Sequence, residues 1–221
     1  MNKYLRESAL WIFIALPYLY LATVWKDLPE QVPTHFNLEG APDDWSNKSA
    51  MIFIPAILGI GVYLLMLLIP VLDPKKRITQ MGNKYYSLRL MLTIFFSILA
   101  TYVVYVCHAG SVNPNMMLAI IGAFFAMLGN YFQTVRPNYF IGFRTPWTLE
   151  NEQVWKKTHR LAGRLWIIGG LLIIILSLFI SNKLIPTFFG VILFVMVIVP
   201  VVFSYSELKK LKYTESKITN R

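Results

Sequence analysis

The chain has 221 residues, of which 56% are hydrophobic and only 14% are charged, and its formal net charge is +10. A soluble domain of this size carries about a quarter charged residues, and the charges here are clustered so that long stretches hold none. The composition therefore excludes an ordinary soluble domain and indicates a polytopic membrane protein, whose basic excess belongs to cytoplasmic loops and not to a nucleic-acid interface.

Six transmembrane helices are predicted from the runs that contain no Asp, Glu, Lys or Arg. In chain order these runs hold 18, 24, 46, 18 and 23 residues. A helix needs about 20 apolar residues to cross a bilayer, so four runs fit one helix each, and the longest fits two with a turn at His108–Asn115. The first run lacks a small-residue cleavage pattern and is predicted to be a retained helix rather than a signal peptide. In the fourth helix, Gly122, Ala126 and Gly129 predict a face that a neighbouring helix approaches closely.

The distribution of basic residues predicts the orientation. With the N terminus inside, the cytoplasmic segments hold 18 of the Lys and Arg residues and the outside segments hold 3. Because basic loops stay cytoplasmic, we expect both termini in the cytoplasm. We divide the chain into residues 1–87, a helix pair with an extracellular loop at 26–48 and a basic cytoplasmic loop at 73–87, and residues 88–221, a four-helix region with a cytoplasmic motif loop at 136–163.

The first outside loop is acidic and rich in turn-forming residues. Five carboxylates and two lysines between Lys26 and Lys48 give it a net charge of −3. Its Pro and Gly residues forbid a continuous helix and favour turns, while Phe36 and Trp45 supply aromatic anchors. We expect a compact acidic cap that faces outward.

The cytoplasmic motif loop is polar and dense in special residues. The pair Arg136–Pro137 ends the fourth helix, because proline disfavours helical geometry in the residue before it. Thr148 is the predicted N-cap of a new helix, on which Glu152 precedes Lys156 by four residues, the favourable order for an ion pair. One face of this helix is less polar: Val154, Trp155, Thr158 and Leu161. We predict one interfacial cytoplasmic helix between the fourth and fifth spans, which either carries function or only braces the bundle.

A family resemblance lies in the same loop. Residues 142–149, which read GFRTPWTL, are followed by Glu152, Trp155 and the helix ending at Gly163. This pattern resembles the signature of the SdpI family of bacterial immunity proteins. The outside loop from Leu28 to Trp45 resembles the small extracellular domain of unknown function found N-terminal to the SdpI region. The resemblance implies a multi-pass protein of the bacterial plasma membrane that protects the cell from a secreted, membrane-active peptide toxin. In the family's best-known member, the toxin-bound form also captures a cytoplasmic autorepressor.

Two groups of residues are therefore candidate sites. The candidates for toxin binding lie in the outside loop: His35, Phe36, Asn37, Gly40, Asp43 and Trp45. The candidates for coupling to a cytoplasmic partner lie in the family motif: Arg136, Asn138, Gly142, Arg144, Thr145, Pro146, Trp147, Thr148, Glu152, Trp155, His159 and Arg160. The expected partners are a peptide toxin, a cytoplasmic repressor and the lipid bilayer, with no direct nucleic-acid contact.

Two alternative functions stay open. The second interpretation is a small transporter or lipid-handling protein for an amphipathic molecule, although the predicted spans lack the buried charges that coupled transporters usually keep. The third is an enzyme, but no His-Glu-x-x-His motif is present and we predict no catalytic residue, no metal and no cofactor. His35 and His108 with the acidic residues of the loop are the metal-site alternative, which their spacing does not support. Cys107 is the single cysteine and cannot form an intrachain disulfide.

Overall fold

The computed structural model describes residues 2–37, 41–180 and 184–219. Its elements are α1 (Lys3–Val24), β1 (Gln31–Phe36), β2 (Pro42–Asn47), α2 (Ala50–Pro55), a π-helical stretch (Ala56–Gly61), α3 (Val62–Leu72), α4 (Arg77–Gln80), α5 (Asn83–Ala109), α6 (Pro114–Phe132), α7 (Pro146–Glu150), α8 (Glu152–Phe179) and α9 (Ile185–Thr219). Six segments are long and apolar enough to cross a membrane: Tyr4–Val24, Ala50–Leu72, Asn83–Ala109, Pro114–Phe132, Glu152–Phe179 and Ile185–Thr214. The prediction of a mostly α-helical membrane protein with six spans is confirmed.

The spanning helices pack in two groups. The first contains α1, the segment from α2 to α3, and α5; the second contains α6, α8 and α9, and α5 joins the groups through a smaller contact with α6. The most extensive helix contact joins α6 to α8, where glycines let the backbones touch. A Cβ on Gly129 would lie 2.7 Å from the Gly163 carbonyl oxygen, and one on Gly122 would lie 2.7 Å from the Gly170 carbonyl oxygen. The predicted small-residue face of the fourth helix is confirmed. The division of the chain after residue 87 stays a prediction.

The acidic outside loop folds as a β-hairpin, which the turn-rich sequence did not predict. β1 and β2 are antiparallel, with Pro33 opposite Trp45 and Phe36 opposite Pro42. Prolines are tolerated here because a two-stranded ribbon has only edge strands. Val32 is fully buried and packs in one cluster with Met51 and other residues near the ends of α1 and α5. The all-helical description therefore needs this one addition.

Charged residues occur within the spanning helices, so the expectation of charge-free spans was wrong. Glu7 lies in α1 and Arg89 in α5, and the two form a bidentate ion pair with N–O distances of 2.8 and 2.9 Å. The Tyr63 hydroxyl of α3 donates to the same carboxylate at 2.8 Å. Counting between charges placed Glu7 and Arg89 at span boundaries, whereas both helices begin several residues earlier. Together with Tyr63, this ion pair links three helices of the first group.

The molecule has two ends that α5 separates. The hairpin end contains residues 27–37 and 41–49, and its Pro33 carbonyl oxygen lies 3.4 Å from Cys107 Sγ near the C terminus of α5. The motif end contains residues 73–83 and 133–151, which pack with Tyr85 near the N terminus of α5. From Tyr85 to Cys107 a helix rises about 33 Å, close to the roughly 30 Å of hydrocarbon in a bilayer. The two ends therefore fit opposite membrane faces, and which end is cytoplasmic stays a prediction.

Candidate functional site

The motif segment, residues 136–163, begins with a turn that Asn138 organises. Asn138 is fully buried. Its Oδ1 accepts from the backbone N–H groups of Phe140 and Ile141 at 2.8 and 2.7 Å, and its Nδ2 donates to the carbonyl oxygens of Arg136 and Ile141 at 2.8 and 3.1 Å. One amide side chain thus satisfies four backbone groups that leave regular structure after α6. The predicted site residue Asn138 is structural in this arrangement.

Gly142 and His159 form the centre of the motif segment. Gly142 has φ +102°, a conformation that favours glycine, and a Cβ at this position would overlap the His159 ring. The next residue, Phe143, donates its backbone N–H to His159 Nε2 at 3.0 Å. His159 Nδ1 lies 2.9 Å from the Trp155 carbonyl oxygen. Because an N–H only donates and a carbonyl oxygen only accepts, His159 is held as the neutral tautomer protonated on Nδ1.

Trp155 completes this buried cluster. Its ring stacks on His159 with a centroid distance of 3.9 Å, and its Nε1–H donates to the Val135 carbonyl oxygen at 2.9 Å. Trp155 is 0% and His159 2% exposed. Phe143 packs edge-on against His159 and against Phe132 of α6. Both ring nitrogens of His159 are used, so His159 has no free base function here.

The predicted single interfacial helix is two helices, and its N-cap was misplaced. Thr145 is the N-cap of the five-residue helix α7, with Pro146 at its first position, and Thr148 closes the capping box from inside the helix. Asn151 has φ −128° and ψ +115°, which ends α7, and its side chain caps α8. α8 then continues without a break into the fifth span. The Glu152–Lys156 ion pair is confirmed, with an N–O distance of 2.8 Å.

Contacts made by Trp147 and Lys157 join the motif segment to α9. The Trp147 Nε1–H donates to Ser204 Oγ, and the Trp147 ring lies 5.3 Å from the Tyr205 ring between centroids. Further along α8, Lys157 Nζ donates to the buried Glu207 carboxylate at 2.6 Å. Sequence reasoning missed Ser204 and Glu207, because a serine within a hydrophobic run and a glutamate at its end carry no positional signal.

Basic residues of the first helix group, in the loop before α5 and at its start, also contact the motif segment and the residues just before it. Arg77 Nη1 donates to the Pro137 carbonyl oxygen at 3.3 Å, and Lys84 Nζ donates to the Thr134 carbonyl oxygen at 3.3 Å. Lys75 Nζ lies 5.1 Å from the Tyr139 ring centroid. The motif segment is therefore anchored to both helix groups.

Burial divides the predicted motif residues into two sets. The residues that hold the segment together are Asn138, Gly142, Thr145, Trp147, Thr148, Trp155 and His159. The exposed residues are Arg136, Arg144, Pro146, Glu152 and Arg160. Arg144 donates to the Tyr139 carbonyl oxygen, which positions its guanidinium on the surface of the loop. The exposed set is the more accessible of the two to a partner.

The hairpin carries the other predicted site residues on its surface. His35 contacts the Asp43 carboxylate, and the Asn37 side chain accepts from the Ala41 N–H at 3.0 Å. Trp45 is 53% exposed, and Phe36 is half-buried. Gly40 lies outside the described residues. Within the described ranges, no three His, Cys, Asp or Glu side chains come together as a metal site would require.

Two protein-family models match the chain. Residues 134–206 match the SdpI/YfhL protein family, and residues 12–59 match a domain of unknown function, DUF1648. The chain is 27% identical over 201 residues to the immunity protein SdpI of Bacillus subtilis (strain 168), covering 90% of this chain and 94% of that protein. It is also 35% identical over 57 residues to an uncharacterized protein of Archaeoglobus fulgidus, covering 26% of this chain and 31% of that protein. No solved structure matches. With the six apolar helices, these matches identify a multi-pass bacterial membrane protein.

Proposed function

We propose that this protein gives its cell resistance to a secreted, membrane-active peptide toxin, because residues 134–206 match the SdpI/YfhL protein family and the alignment with an immunity protein covers nine-tenths of the chain. This 201-residue alignment is the observation that carries the proposal, since it includes both the hairpin and the motif segment. Six helices apolar enough to span a membrane support the proposal, because a membrane-active toxin acts in the bilayer.

The hairpin is the toxin-binding surface in this proposal. It combines an exposed indole at Trp45 with the His35–Asp43 pair on a loop of net charge −3. An amphipathic peptide at the membrane surface offers apolar and basic groups that complement these side chains. The buried cluster around Val32 fixes the hairpin to the helix ends, so the surface is held in place before any ligand arrives.

Protection is tested by expressing the gene in a sensitive strain and challenging it with a panel of peptide toxins. We expect survival with the wild-type gene and reduced survival with Trp45→Ala. Trp11→Ala is the matched control, because Trp11 is 46% exposed but lies on α1, away from the hairpin. Protein levels are compared by immunoblot. Unchanged killing of wild-type cells across the panel would contradict the immunity function, whereas equal protection by both variants would contradict only the hairpin site.

The proposed orientation places the hairpin outside the cell and the motif segment in the cytoplasm. Single cysteines at Asn47 and Glu150, in a Cys107→Ser background, report the two ends because both residues are exposed. A membrane-impermeant maleimide added to intact cells should label the first and not the second. The reverse pattern would place the motif end outside and remove the hairpin as an external receptor.

A sensor function is the finer part of the proposal, in which toxin binding changes the affinity of the motif end for a cytoplasmic repressor. A ligand shifts such an equilibrium only by binding one state better, at about 1.4 kcal/mol per tenfold preference. Three exposed arginines, Arg136, Arg144 and Arg160, supply a surface for an acidic partner. In a pull-down with a co-expressed repressor, Arg144→Gln should reduce capture and the exposed Arg164→Gln should not. Equal capture by both variants would assign the contact elsewhere.

Transport or lipid handling remains the second candidate function, since one observation favours it. A cavity of about 810 Å³ between α1, α5 and α6 is lined mainly by apolar side chains, among them Phe13, Leu16 and Ile98. An amphipathic molecule of modest size fits such a space. Flux of labelled peptide or lipid across proteoliposomes separates the candidates, because an immunity protein that only binds its toxin should show none.

A further inference from the structure

A groove runs between α5 and α6 at the motif end. It consists of two adjoining cavities of about 430 and 450 Å³, which share Lys84 and Thr134 in their walls. The contact between α5 and α6 is small compared with that between α6 and α8, which leaves this space between the helices. We call it the α5–α6 groove.

The inner half of the groove presents mainly apolar surface. Met91 and Met127 line it together with Tyr131, and the polar side chains of Ser87 and Asn130 also reach it. Tyr131 is only 7% exposed, and its hydroxyl oxygen is buried beneath the surface of the groove. A bound molecule would therefore meet mainly apolar surface in this half.

The outer half of the groove is basic. Lys84, Arg136 and Lys156 line it against one carboxylate, Glu152, an excess of two positive charges. Glu152 pairs with Lys156 at 2.8 Å. Lys84 donates to the Thr134 carbonyl oxygen, which carries no counter-charge. Lys84 and Arg136, which make no hydrogen bond to Glu152 in the described residues, therefore carry the excess positive charge of this half.

We propose that the α5–α6 groove binds an anionic phospholipid, whose phosphate contacts Lys84 and Arg136 and whose acyl chain lies along Met91 and Met127. A basic mouth above an apolar floor matches the two parts of such a lipid, and basic pockets between membrane helices bind anionic head groups. A free phosphate would leave the apolar half unused, which favours the lipid. The lipid would occupy the space between α5 and α6 and add contacts between the two helix groups.

The site is tested with the full-length protein in a neutral detergent, using phosphatidylglycerol, phosphatidylcholine and inorganic phosphate as separate probes. Retention of each probe is measured by native mass spectrometry, and stabilisation by the shift in unfolding temperature. We expect phosphatidylglycerol to bind and stabilise, and the other two to do neither. Binding of phosphatidylcholine with equal affinity, or stabilisation by phosphate alone, would overturn the proposal.

Variants locate the site on the protein. Lys84→Gln with Arg136→Gln should weaken phosphatidylglycerol binding about thirtyfold, which corresponds to about 1 kcal/mol for each basic residue near an anionic surface. Lys209→Gln with Lys212→Gln removes the same charge from exposed residues of α9, outside the groove, and should leave the affinity within about twofold of wild type. Equal loss in the α9 pair and the groove pair would show a general charge effect and refute the site.

Discussion

Replacing Gly142 with alanine tests the centre of the motif segment. The backbone at this position has φ +102°, and forcing a side chain into such a conformation costs about 1–3 kcal/mol. The added Cβ would also overlap the His159 ring, so the ring must move. Movement loses the hydrogen bond from the Phe143 N–H, about 1 kcal/mol, and the stacking on Trp155, about 1 kcal/mol. We expect a total loss of about 3–5 kcal/mol in the free energy of unfolding.

A second glycine separates the two causes. Gly110 has φ +70°, but no atom lies within 4 Å of a Cβ built there. Gly110→Ala therefore carries the backbone cost alone, about 1–2 kcal/mol. Both variants are compared with wild type by thermal and denaturant unfolding in one detergent, followed by tryptophan fluorescence. If Gly142→Ala is no less stable than Gly110→Ala, the packing of His159 against Gly142 contributes nothing and this account of the motif is incorrect.

Two further predictions concern the contacts that join the helices. Trp147→Phe and Ser204→Ala should each lower the free energy of unfolding by about 1 kcal/mol. A double-mutant cycle measured by unfolding should give a coupling energy of similar size. Additive effects would show that the indole N–H and the hydroxyl do not interact. Glu7→Gln should cost about 3 kcal/mol, because Arg89 is 11% exposed and would lose the carboxylate that pairs with it, while Glu152→Gln should cost much less because that pair is exposed. Equal losses of stability in the two glutamate variants would contradict the expectation that the buried ion pair contributes more than the exposed one.

The helical framework was predictable because a bilayer imposes a simple rule. A run of about 20 uncharged apolar residues has few alternatives to a spanning helix, and the turn at His108–Asn115 divided the longest run correctly. The hairpin was not predictable in the same way. Pro33 and Pro42 suggested turns, yet both lie in strands, because a ribbon that packs one buried residue such as Val32 against the helix ends tolerates prolines on its edges.

Charge counting also concealed a tertiary contact. Glu7 and Arg89 are 82 residues apart, and each appeared as the border of a hydrophobic run. Whether a charged residue near a helix end faces lipid, water or a partner depends on packing that local periodicity does not contain. The same limit applies to Ser204, which became visible only when α9 was placed beside Trp147.

The candidate site was predictable as a segment and less so residue by residue. The spacing of Val154, Trp155, Thr158 and Leu161 predicted a less polar face of α8; the first three are buried and Leu161 is half-buried. That the family motif points mostly inward, however, follows from tertiary contacts such as those of Asn138 and His159. A motif resemblance identifies residues that belong together, and it does not distinguish the side chains that build a loop from those that present it.

The continuity of α8 sets a rotational register between the motif segment and the membrane interior. His159, Gly163 and Gly170 lie within about 40° of one another around the helix axis, at 100° per residue. One residue inserted between His159 and Gly163 would turn the glycines away from α6 while the histidine stayed in place. When this loop is exchanged between relatives, the chimaera should therefore fold only if the number of residues between the histidine and the glycines is preserved.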